Sequence, residues 1–401
     1  MNENASRILS LESLRGLLAL WVTVGHTIKH SGYTDAELGV FAILGNPGLA
    51  VDCFIILSGF VIFMLLDRQR SSYTEFIVGR FFRLAPLFFL ILVISALTLD
   101  WQVSVIANTP WKNQSIANDM RIHLDALQYL PQHLLAHFAM LHGAIADSIL
   151  PSSQYAIVGP AWSISVEWQF YLIAPALFFL IAARRWYALA AVIVVVCVLR
   201  AVNYGSAGFA INQGAYFLIG IVSYFVWKKS NLIRQHDFRF IEVMGLLAIA
   251  IVYFTMSRTI SLMLWVVVFI AIIAERHPAP SLFQRMFIGV LRQPMLQWMG
   301  RISYSIYMIH MLVLYAWFAC LQHAFPEIGK FNFLMYALPL IVLTTLMLSA
   351  LAYRFIEVPG MRLGKWLGKR SRPRENRAAP SLAKEFVGAD TLMRRGGDAA
   401  H

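Results

Sequence analysis

The chain has 401 residues, 59% of them hydrophobic and only 13% charged, with a mean hydropathy of +0.64. That balance excludes an ordinary water-soluble domain and makes lipid the solvent for most of the chain. The net charge of +12 is no nucleic-acid signal: eleven of the 33 Lys and Arg lie at or after Arg354, in a polar tail with the run KRSRPRENR that reads as disordered and next to an anionic leaflet.

Apolar runs of bilayer length predict an all-α, polytopic membrane protein with ten transmembrane helices, near 10–29, 48–66, 81–99, 160–183, 187–202, 210–227, 240–256, 259–274, 304–322 and 333–353. Positive charge sets the orientation. With a cytoplasmic N-terminus the inside segments hold Arg68, Arg70, Arg80, Arg83, Arg184, Arg185, Lys228, Lys229 and the later arginines, whereas the outside segments hold only Lys29, Lys112, Arg121, Arg258 and Lys330. Both termini are therefore expected in the cytoplasm. One membrane domain over 8–358, with a single external loop at about 100–159, would precede a basic tail over 359–401. No internal repeat and no Gly-rich nucleotide-binding module is visible. Cys53, Cys197 and Cys320 lie in apolar spans and imply no disulfide framework. The first span carries Arg15 in its interior and lacks a small-residue cleavage site, so it is expected as a retained helix and not a cleaved signal peptide.

In that first span, LSLESLRGLLALWVTVGHTIKH, Arg15 and His26 stand eleven residues apart. At about 100° and 1.5 Å per residue they share a face and are separated by about 16 Å along the helix. An Arg towards the centre of a membrane helix costs on the order of 3 kcal/mol, so it faces a protein interior, a cavity or a ligand. The second span enters from outside with Asp52 at the height of His26. Asp52 is either the carboxylate that orients this imidazole as a general base or a cap on its own helix. Ser58 and Gly59 interrupt the bulky run below it, where a glycine admits either a ligand or a neighbouring backbone.

The motif RFFRLAP places Arg80 and Arg83 on one face at the cytoplasmic mouth of the third span, two guanidiniums suited to phosphate or equally to topology. The external loop carries His123, His133, His137 and His142. His133 and His137 have a metal-compatible spacing without an acidic or Cys partner, and an interfacial amphipathic helix is the better expectation. The fourth span opens with GPAWSISVEWQFYL, where Glu167 lies about two turns in, among Trp162, Ser163, Ser165, Trp168, Gln169 and Tyr171. A carboxylate with Trp faces is equipment for gripping a sugar; anchoring against another helix is the rival. In the ninth span Ser303, Tyr307 and His310 share one face, with His310 as a proton relay or an interhelical hydrogen bond. The last span ends in YRFIEVPGMR, where Pro359 and Gly360 are expected to stop the helix and Glu357 to face the cytoplasmic rim as structural closure.

Six blocks in order, SLRGLLALWVTVGH, VDCFIILSGF, RFFRLAP, WSISVEWQFYL, SYSIYMIH and YRFIEVP, resemble the acyltransferase-3 family of integral membrane O-acyltransferases. The resemblance implies transfer of an acyl group, most often acetyl, from cytoplasmic acyl-CoA to a hydroxyl of a surface glycan or related acceptor, in a bacterial inner membrane. It further implies that Arg15 and His26 are the family's first-span pair with His26 as the base, that Arg80 and Arg83 help hold the CoA phosphates, and that Glu167 is the acid of the fourth-span block. Trp168 stands where many members have a second acid, which puts a role needing two carboxylates in doubt. The external hydrolase-like domain that some members append is not seen.

The combined expectation is direct transfer without a metal. The donor would rise from Arg15, Arg80 and Arg83 past Ser58, Gly59, Tyr307 and His310. His26, with Asp52, would deprotonate an acceptor hydroxyl held by Trp162, Ser165 and Glu167. A covalent acyl-His or acyl-Ser58 route competes. A transporter or flippase for a glycan or small solute is the alternative of a different class, weakened by the lack of internal duplication and of paired broken helices. A non-catalytic assembly partner is the third, and it requires Arg15 and His26 to be replaceable. No nucleic-acid partner is expected.

Overall fold

A computed structural model describes residues 8–68, 71–201, 205–230, 260–275 and 282–370, and among these the secondary structure is helical without strands. Helices lie over nine of the ten expected spans; the tenth expectation, 240–256, falls outside the described residues. Their order is α1 (Leu9–His30), the short α2 (Asp35–Leu38), α3 (Pro47–Arg68), α4 (Tyr73–Leu97), α5 (Leu99–Ala107), α6 (Gln114–Gln128), α7 (Leu130–Phe138), α8 (Trp162–Ala182), α9 (Trp186–Ala201), α10 (Gly214–Lys229), α11 (Ile260–Ala274), α12 (Leu282–Leu291), α13 (Pro294–Arg301), α14 (Ser303–Ala324), α15 (Lys330–Ala352) and α16 (Val358–Arg370).

Five helical stretches among the described residues are long and apolar enough to cross a membrane: Asp35–Arg68, Tyr73–Leu97, Gly159–Ala182, Ser303–Ala324 and Lys330–Arg370. α1 has 22 residues, but Glu12, Arg15, His26 and Lys29 make it the most polar of the long helices. Its surroundings explain how it tolerates them: α1 packs against α3, α13, α14 and α15, so its polar groups face protein. α3 is the second hub, in contact with α1, α8, α10 and α11. α3 meets α10 backbone to backbone. A Cβ on Gly59 would lie 2.4 Å from the Phe217 carbonyl oxygen, and one on Gly220 would lie 1.9 Å from that of Ile56.

Three local expectations change. α4 begins at Tyr73, capped by Ser72, whose hydroxyl accepts from the Glu75 amide at 3.3 Å. RFFRLAP therefore begins about two turns inside α4, with the Arg80 guanidinium over the Tyr171 ring of the neighbouring α8. The segment after Glu357 is not wholly tail: a π turn at Tyr353–Glu357 leads into α16, which packs along α4. Pro359 follows the π turn, where the i→i−4 ladder is already interrupted, and Gly364 lies close enough to Phe82 that a Cβ would approach its side chain to 2.7 Å. The rest of the expected tail, 371–401, lies outside the described residues.

The loop expected at about 100–159 is also more structured than an interfacial helix alone. α7 turns Leu135 (76% exposed) and Phe138 outward, as an amphipathic helix on lipid would, but buries His133 and His137 completely. The His137 ring stacks on His142 at 3.9 Å, and both stack on Phe88 of α4. Coplanar stacked rings pack as aromatics; nitrogens arranged about an ion do not stack in this way. Burial lowers His137 to about 4 and His142 well below its ordinary value, so both sit in the fold uncharged.

Candidate functional site

Two cavities open on either side of one tyrosine. The first, named inner for the Arg15 end of α1, has a volume of about 50 Å³ and is lined by Arg15, Ser58, Ser163, Glu167, Tyr304 and Tyr307 among others. The second, named outer for the His26 end, has a volume of about 430 Å³ and is lined by His26, His30, Asp119, Trp162 and again Tyr307. The expected separation of Arg15 and His26 along a single helix thus becomes a separation between compartments. Tyr307 is the wall they share. Its hydroxyl donates to the Pro160 carbonyl at 2.6 Å and accepts from Ser163 at 2.8 Å, so the start of α8 latches it in place.

The inner cavity is a charge cluster. Glu167 accepts from the Tyr171 hydroxyl one turn further along α8 and from Ser58 at 3.4 Å. Arg15, Arg80 and Arg83 all lie within electrostatic range of Glu167, and the Arg80 guanidinium stands 5.9 Å over the Tyr171 ring. Glu357, only 5% exposed, accepts from the Ser305 hydroxyl and acts on Arg15 and Arg83. It belongs to this cluster and not to the rim. Three formal positive charges stand against two negative ones in the cluster, Arg15 and Glu167 being the charged groups that line the cavity itself, and the Arg15 Nε is buried without a hydrogen-bond partner. Such a site favours an anion.

The outer cavity holds the His26 ring, half-buried and open to the cavity, with the His310 ring 5.3 Å away and the His30 ring 5.8 Å away. His310 is fully buried, and its Nδ1 donates to the Tyr307 carbonyl at 2.8 Å. Trp162 lines this cavity and makes an edge contact with Tyr155, their centroids 6.5 Å apart. The groups acting electrostatically on His26 are His310, His30 and Lys29.

Of the expected site residues, Arg80, Arg83 and His310 line neither cavity, and Asp52, Gly59 and Ser165 stand elsewhere. Asp52 does not meet His26. Its carboxylate accepts from Tyr216 of α10 and Ser261 of α11, each at 3.1 Å, because those helices cover that side of α3. Gly59 faces the α10 backbone and leaves no room for a ligand. Ser165 is buried away from both cavities and accepts from the Gly143 amide and the Gln169 side chain at 3.1 Å each, pinning the loop after α7. Glu167 lines the inner cavity alone, so it stands on the Arg15 side and not beside Trp162. Arg15, His26, Ser58, Trp162, Glu167 and Tyr307 do line the cavities.

Sequence reasoning missed Tyr304, Glu357, His30 and Asp119. His30 was legible, since it lies four residues after His26 on the same helical face. Glu357 carried the opposite signal, a carboxylate before Pro-Gly, which reads as a helix end. Asp119 comes from α6, and only the tertiary fold brings it to α1.

A family model described as an acyltransferase domain matches residues 8–354. No curated protein and no solved structure matches the chain.

Proposed function

The chain belongs to the acyltransferase-3 family and is a membrane acyltransferase, and from that premise we propose that it moves an acyl group, acetyl by expectation, from cytoplasmic acyl-CoA to a hydroxyl of an exported or cell-surface glycan across a bacterial inner membrane. The observation that carries the reading is the pair of cavities meeting at Tyr307, with Arg15 in one and His26 in the other on a single helix.

In this proposal ten spans place both termini in the cytoplasm, so that the inner cavity opens towards the donor. Arg15, Arg80 and Arg83 neutralise the phosphates of CoA, while Glu167 and Glu357 hold the guanidiniums in place. The acceptor enters the outer cavity and presents a hydroxyl to His26, with Trp162 beside it. His26 takes the hydroxyl proton as the oxygen attacks the thioester carbonyl carbon; the C–S bond breaks, and the leaving thiolate takes the proton back from His26. No acyl-enzyme is needed. Ser58, which donates to Glu167, is held as a donor-side contact and not as a nucleophile.

The test supplies radiolabelled acetyl-CoA to sealed vesicles of known sidedness. Label should reach glycan when acetyl-CoA meets the cytoplasmic face and stay free when it meets the outer face. Transfer only from the outer face would overturn the assignment of the two cavities.

A further inference from the structure

One wall of the outer cavity comes from the external loop. Ser115, Asn118, Asp119, Ile122 and His123 of α6 all line it, at positions i, i+3, i+4, i+7 and i+8 of one helical face. α6 is fixed by its N-cap, the Asn113 side chain accepting from the Ile116 amide at 2.9 Å. The face is joined to the helix of His26 by an ion pair. Asp119 Oδ2 stands 3.0 Å from Nε2 of His30, whose Nδ1 donates to the His26 carbonyl at 2.9 Å. His123 is set differently. Its Nδ1 donates to the Asp119 carbonyl at 2.7 Å, and its Nε2 lies 3.3 Å from the Tyr315 hydroxyl, which donates to it.

This face offers an amide, a hydroxyl, an ion pair and an imidazole to a cavity that Trp162 and Tyr155 also line. Polar groups together with aromatic faces in one cavity suit a hydroxyl-rich ring with an apolar face. The carboxylate expected on the acceptor side is thus supplied by Asp119, since Glu167 opens to the other cavity. We propose that the α6 face centred on the Asp119–His30 pair is the acceptor-specificity surface, reading the hydroxyls of one sugar ring while His26 receives the hydroxyl to be acylated. The inference rests on the proposed function above.

The experiment uses native membranes containing the full chain, radiolabelled acetyl-CoA as donor and, as acceptor, the glycan fraction extracted from cells lacking the gene. Asn118→Ala and Asp119→Asn are compared with the unmodified protein, varying acceptor and donor separately. Asn118 is exposed and accepts only from Gln114, on the same helix, so its replacement leaves the fold intact even if Asp119→Asn does not accumulate. Each variant should raise the half-saturating acceptor concentration by about tenfold, the worth of a lost hydrogen bond to a polar ligand, and leave that for acetyl-CoA unchanged. An unchanged acceptor dependence in Asn118→Ala, or an equal rise for donor and acceptor, would overturn the inference alone. Absence of label transfer by the unmodified protein would overturn the proposed function and this inference with it.

Discussion

His26 is a half-buried imidazole that opens to the outer cavity, and the two rings beside it are themselves imidazoles. A general base contributes about 10²–10⁴-fold to rate, so His26→Ala should lower acyl transfer by that factor while acyl-CoA still binds. Radiolabel transfer together with donor binding in the same membranes separates the two effects. Asp52 makes the complementary prediction. Because its carboxylate serves Tyr216 and Ser261 and not His26, Asp52→Asn should keep transfer per folded molecule within about threefold and lose stability instead, by about 1–3 kcal/mol for hydrogen bonds to a charged group. A loss of transfer as deep as that of His26→Ala, in protein that remains folded, would restore Asp52 to the chemistry. Arg15→Ala should weaken acetyl-CoA binding without changing acceptor dependence, read from the two half-saturation concentrations.

At the scale of elements, helix positions were legible and helix neighbours were not. Apolar runs placed α3, α4, α8, α14 and α15 within a few residues, except that α4 begins earlier because Ser72 caps it. What each polar side chain faces depends on which helices pack together, and no periodicity in one segment carries that. From sequence, Asp52 fits either a partner for His26 or a helix cap, and Gly59 either a ligand or a neighbouring backbone; the choice is made by α10 and α11, which cover that flank of α3. The contact of α3 with α10 is correspondingly intolerant. Gly220→Leu, with its Cβ 1.9 Å from the Ile56 carbonyl oxygen, should cost more than the 1–3 kcal/mol typical of about one overpacked site and reduce folded protein in membranes, measured as monodisperse protein after extraction. The external loop responds to pH. His137 is lowered to about 4 by burial, so the unfolded loop binds more protons than the folded one below the ordinary value of about 6.5. Stability contributed by the His137–His142 stack is therefore complete above about 6.5 and is lost as pH falls towards 4. Hydrogen-exchange protection over α7, taken relative to the intrinsic amide rate at each pH, should fall across that window, and His137→Phe should flatten the dependence.

Across the whole molecule, one helix carries the two ends of the proposed reaction, and the rest of the bundle decides that they open to different compartments. α1 is packed against α3, α13, α14 and α15, so Arg15 and His26 keep a fixed separation, with Tyr307, latched to the start of α8, standing between the two cavities. The pairing of Arg15 with His26 was readable from an eleven-residue spacing; the division of labour between Glu167 and Asp119 was not, because it is made by the fold of the external loop over the outer cavity. The most direct test of the account is mass spectrometry of surface glycans from cells lacking the gene, complemented either with the unmodified chain or with His26→Ala. The account predicts one acyl mass per modified residue with the unmodified chain and none in the deletion or with His26→Ala. Full acylation with His26→Ala, or acylation indifferent to the gene and accompanied by altered glycan export, would contradict it.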